Sequence, residues 1–235
     1  MNIFGAFTFG SLIKTFLPGF VWLIALQLVV WDFSDAFGIP PQFWTQLTAK
    51  DQAALVLAIP GSILLGLLSN ILVFMGLNDR LVRKPVDRKY STLRRMLEEL
   101  KRRVRQQCWD RLAPQANLDE ALFFSDDGID PEIILVERIG AEKLAYVREQ
   151  YWYHLEFQLN LMLSLIVLAA ALVIATIIRI GLCAGIVYVV LWAALGGTLS
   201  IGLLISARKN YRRHMGKMAS LMTALLCPEP PPPED

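Results

Sequence analysis

Very few side chains in this sequence stand at spacings that support chemistry. Asp126-Asp127-Gly128-Ile129-Asp130 gathers three carboxylates, but a calcium loop needs alternating ligands and a distal glutamate, so the stretch reads as a turn. His154 and His214 have no second histidine at ligand spacing. Cys108, Cys183 and Cys227 lie far apart, and neither a metal site nor a structural disulfide is expected from them. No phosphate loop, nucleophile elbow or supported carboxylate pair is present. The expectation is a protein that is not an enzyme and takes no cofactor or metal.

The elements that position these residues are dominated by apolar runs. At 55% hydrophobic content, the 235-residue chain departs from the composition of ordinary soluble domains. Four stretches are long enough to cross a bilayer as helices, which takes about 20 apolar residues: Leu12–Trp31, Ala53–Leu77, Leu159–Ile178 and Leu182–Ile205. The break at Arg179–Gly181 is too short for anything but a tight hairpin. The fold class predicted is an all-α integral membrane protein with four transmembrane helices as two hairpins and an inserted helical cytosolic domain. Its parts are residues 1–77 (an interfacial segment and the first hairpin), 78–158 (the cytosolic domain), 159–205 (the second hairpin) and 206–235 (an amphipathic helix, Tyr211–Leu226, and a proline-rich tail). Pro18-Gly19 and Pro60-Gly61 predict kinks in the first two spans.

Orientation follows from lysine and arginine placement. The outer connections hold Lys50 and Arg179, the middle loop holds fifteen basic residues, and the tail adds Arg208, Lys209, Arg212, Arg213 and Lys217. Both termini and the middle loop are therefore expected in the cytosol, with the spans in a bacterial inner membrane. The acidic, aromatic connection Asp32–Gln52 would lie outside, with Thr48–Asp51 capping the second span.

The middle loop divides electrostatically. Arg80–Arg111 has twelve basic residues, and Leu112–Gln158 has ten acidic ones. Within the basic half, Leu93, Met96, Leu97, Leu100, Val104 and Cys108 keep helical spacing and predict one apolar stripe. Arg94, Arg95, Lys101, Arg102, Arg103 and Arg105 are the candidates for facing anionic lipid headgroups or a protein partner, with pairing to acids of the same domain as the plain alternative. Nucleic acid is disfavoured, because no aromatic residues interleave with the charges. From Ala141 to Ile178 nothing breaks a helix, so one continuous helix should join this domain to the third span.

Inside the apolar runs two features stand out. Asn70 and Asn160 fall at similar depth and are expected to meet by hydrogen bond or to share a polar ring. Ala194, Thr198, Gly202 and Ser206, with Gly197 beside them, form a small-residue ridge on the fourth span suited to helix packing or to an oligomer interface. No ionisable side chain lies mid-membrane, which argues against an ion-coupled transporter. Together these features predict an oligomeric polytopic membrane protein whose cytosolic domain senses or docks a protein partner and is coupled to the bundle as a channel or membrane-perturbing effector. The alternative is a non-conducting anchor or scaffold that recruits a cytosolic partner, as in a defence or secretion system.

Overall fold

The computed structural model describes residues 9–33, 51–112 and 140–226. The outer-loop cap at Thr48–Asp51, the turn at Asp126–Asp130, most of the acidic half and the proline tail lie outside them. The described residues form helices and their joints, with no strand among them. Helix α1 is Phe9–Asp32 and α2 is Asp51–Leu72. Two π-helical turns, Val73–Leu77 and Asp79–Arg83, lead from α2 into α3, Lys84–Lys89, and α4, Ser91–Leu112. Helix α5 is Ala141–Val147, α6 is Tyr153–Ile180 and α7 is Leu182–Leu226. Four of these helical stretches are long and apolar enough to cross a membrane.

Three details refine the sequence expectation. Helices α1 and α2 hold Pro18 and Pro60 within continuous helix, and backbone outside the helical region falls at Gly76, at φ 172 and ψ −23 within a π-helical turn. Helicity does continue from Ala141 to Ile180, but a π-helical turn at Arg148–Trp152 interrupts its register. The fourth span and the C-terminal amphipathic helix are one 45-residue helix, α7. The composition changes sharply at Arg208-Lys209, yet no residue there is a helix breaker, so the chain has no reason to stop.

The chain divides into two compact units: Met1–Val82 with Leu155–Arg208, and Arg83–His154 with Lys209–Asp235. In the first, α1 and α2 approach until main chain meets main chain. A Cβ added at Gly19 would lie 1.7 Å from the Ser62 carbonyl oxygen, and one at Gly66 would lie 1.9 Å from that of Thr15. Contact this close is the kind of packing that holds helices together where hydrophobic exclusion does not. Helices α6 and α7 turn back at Gly181, whose φ of +82 suits glycine and few other residues. They pack through Gly196, where an added Cβ would lie 2.5 Å from Ala169 Cβ. Arg179 Nε donates to Asp32 Oδ1 at 2.6 Å, tying the end of α1 to the end of α6.

The second unit has an ordinary apolar core. Leu97 and Val104 of α4, Leu144 and Val147 of α5, and Met215, Met218, Ala219 and Met222 of α7 are buried. Each large side chain of this set contributes about 1.5–3 kcal/mol on leaving water. Met96, placed in the apolar stripe by its spacing, is instead 46% exposed, because the buried face of α4 is narrow and centred on Leu97 and Val104.

Candidate functional site

Two polar arrangements stand out, one in each unit. In the first unit, Asn160 of α6 faces α2. Its Nδ2 donates to Asn70 Oδ1 at 2.9 Å, and its Oδ1 accepts from Ser69 Oγ at 3.0 Å. Ser164 Oγ donates one turn back to the Asn160 carbonyl at 2.7 Å. Ser69, Asn160 and Ser164 are buried. Gln158 Nε2 donates to Ser206 Oγ at 2.8 Å, linking α6 to α7. The paired asparagines therefore belong to a larger set of hydrogen bonds. Ser69 contributes to it because α2 presents two consecutive polar residues, of which the sequence pattern singles out one.

Ala194, Thr198, Gly197 and Gly202 are exposed in the single chain, and a Cβ added at Gly197 or Gly202 would meet nothing within 4 Å. The face of α7 that packs within the chain runs through Gly196, Ser200 and Ala207, which are buried. Both faces are lined by small residues spaced about one turn apart, so spacing alone does not separate them.

In the second unit, a cleft of about 230 Å³ is lined by Arg83, Asp87, Arg94, Leu97, Glu98, Lys101, Trp152, Tyr211, His214, Met215 and Met218. At its centre is Asp87, on the short helix α3. Arg94 Nη1 reaches Asp87 Oδ2 at 2.9 Å, and Tyr211 Oη donates to Asp87 Oδ1 at 3.3 Å. Both carboxylate oxygens are thus engaged. Burial pushes the Tyr211 phenol above its ordinary value, with the neighbouring Asp87 charge adding to the shift and Arg83 opposing it. His214 stacks at a tilt on Trp152, with ring centroids 5.4 Å apart. Beside the cleft, Arg212 Nη1 donates to Tyr90 Oη at 2.9 Å and its guanidinium lies over the Tyr90 ring. That hydrogen bond, with the charges of Arg212 and Lys89, lowers the Tyr90 pKa.

The basic residues of α4 are mostly engaged by acids of their own unit. Glu99 takes both Arg102, at 3.0 Å, and Arg103, at 3.1 Å, and these two guanidiniums hold its carboxyl below the usual range. Lys101 lies 3.9 Å from Glu98. Such exposed pairs contribute little each, because water screens the charges and long side chains lose freedom in making them. Arg95 and Met96 remain as adjacent exposed side chains on the outer side of the helix. Chemically, the cleft presents three cations against two carboxylates, with no group of three His, Cys, Asp or Glu that could hold a metal among the described residues. No family model, curated protein or solved structure matches the chain.

Proposed function

We propose that this chain is a membrane-anchored docking protein of a bacterial inner membrane, with both termini and the charged helical unit in the cytosol. The basic residues crowded into the middle loop and the tail, against two on the outer connections, support that orientation. The observation that carries the anchoring role is the fate of the polar groups in the spans. Ser69, Asn160, Ser164, Gln158 and Ser206 hydrogen-bond to one another or to the backbone. The exposed side of α7 reads Val187, Leu191, Leu195, Leu199, Ile201 and Ile205. A water-filled path needs a stripe of polar groups on an open face, and between Val189 and Ile205 the exposed side of α7 offers Thr198 alone.

The docking surface on this reading is the outer side of α4, with Arg95 and Met96 at its middle. Basic flanks of this kind also gain about 1 kcal/mol per residue near anionic headgroups, so an anionic membrane surface is the second contact of the same helix. A conducting oligomer is the competing reading, favoured by the uncovered small-residue face at Ala194, Thr198 and Gly202. Ion flux in proteoliposomes separates the two. The anchor predicts leakage equal to that of empty liposomes, and a flux that scales with protein content would replace it with the channel.

A further inference from the structure

We infer that two copies of this chain pair through α2, with Asn70 at the centre of the contact. This pairing requires that α2 cross a membrane and is independent of the docking reading. Asn70 sits seven residues before the end of the second candidate span at Leu77, about 10 Å inward along the helix. Its Oδ1 accepts from Asn160, but its Nδ2 has no hydrogen-bond partner among the described residues, and the side chain is half-buried. A carboxamide N–H facing hydrocarbon is costly, because no water is there to receive it. Flanking Asn70 are two exposed apolar residues, Leu67 three positions before it on α2 and Phe74 four positions after it in the π-helical turn that follows. A polar group ringed by apolar ones is the pattern of a buried contact between spans.

The chemistry also selects the occupant. A carboxamide carries a donor and an acceptor side by side, and the Asn70 oxygen keeps a second lone pair. Two Asn70 side chains related by a two-fold axis satisfy each other reciprocally, each Nδ2 donating to the other's Oδ1, and a two-fold contact of one face with itself is the commonest way that copies associate. Each Asn70 would then bridge Asn160 of its own chain and Asn70 of the second copy, so the buried polar set of one bundle continues into the next.

Disulfide trapping in membranes tests this with Asn70 intact. In a background with the three native cysteines replaced by serine, Leu67→Cys should give a covalent dimer on mild oxidation. Leu72→Cys, exposed but about 140° round the helix at 3.6 residues per turn, should not, and neither should Gly202→Cys on α7. Adding Asn70→Leu to Leu67→Cys should weaken pairing roughly tenfold, the loss expected for two hydrogen bonds between spans. Trapping at Gly202→Cys alone would overturn the α2 contact while leaving self-association standing. Equal trapping at Leu67→Cys and Leu72→Cys would mean random collision, and trapping at none would mean a monomer. Each of these overturns the proposal.

Discussion

A single methyl group placed at Gly66 should break the first hairpin. The added Cβ would lie 1.9 Å from the Thr15 carbonyl oxygen and 2.7 Å from its carbon. A carbon and a carbonyl oxygen settle no closer than about 3.3 Å, so α1 and α2 must separate locally by about 1.4 Å. The obstructing atoms are main chain, and no rotamer change relieves them. Overpacking of this kind costs about 1–3 kcal/mol, and a backbone obstruction belongs at the upper end. At about 3 kcal/mol, Gly66→Ala should shift the packing equilibrium roughly a hundredfold. The assay is unfolding in mixed micelles of increasing SDS content, followed by tryptophan fluorescence. Gly61→Ala is the matched control five residues earlier, where the added Cβ meets Leu23 Cδ1 at an ordinary 3.8 Å. If Gly66→Ala and Gly61→Ala unfold together, the close main-chain crossing is wrong.

Other substitutions probe the two polar arrangements. Asn160→Leu strips the partners from Asn70 and Ser69 and should cost about 1–2 kcal/mol in the same micelle titration. Arg94→Met leaves a buried Asp87 carboxylate with Tyr211 alone and should cost about 2 kcal/mol, discounted because Arg94 itself is largely exposed. Asp87→Asn keeps an acceptor for Tyr211 and frees an arginine that water can solvate, so it should cost less, about 1 kcal/mol. The reverse order in thermal melts would contradict the assignment of Asp87 as the buried partner. Glu99 is held below its ordinary pKa by Arg102 and Arg103. Its contribution is present above the unfolded-state value and is lost as pH falls through the lowered one. The difference in melting temperature between the parent and Glu99→Gln should therefore be present at pH 7 and vanish below the carboxylate range.

Length and apolarity were enough to read from the sequence four helices able to cross a membrane, and Gly181 announced the hairpin between the last two. The closest packing in the first hairpin was hidden. Gly19 stands beside Pro18 and reads as part of a kink, whereas its lack of a side chain lets the Ser62 carbonyl approach. Gly66, with no proline beside it, offers no local signal at all. The Asp87–Tyr211 contact joins residues 124 positions apart, and neither lies in a motif. Only the tertiary path of α7 brings them together. The continuity of helix α7 past Ile205 was hidden for a related reason, because a change from apolar to basic residues changes the solvent a helix prefers without ending the helix. Glu99, the acid that takes both Arg102 and Arg103, was legible, since three- and four-residue spacings on a helix place it within reach.

The docking role is tested most directly in living cells. A photoreactive residue at position 96, on the exposed side of α4, is compared with one at position 64, exposed on α2. Irradiation should give one discrete protein adduct at position 96 that is larger than the chain and differs from a dimer of it, and none at position 64. Adducts at neither position, or the same adducts at both, would contradict a docking surface on the basic helix.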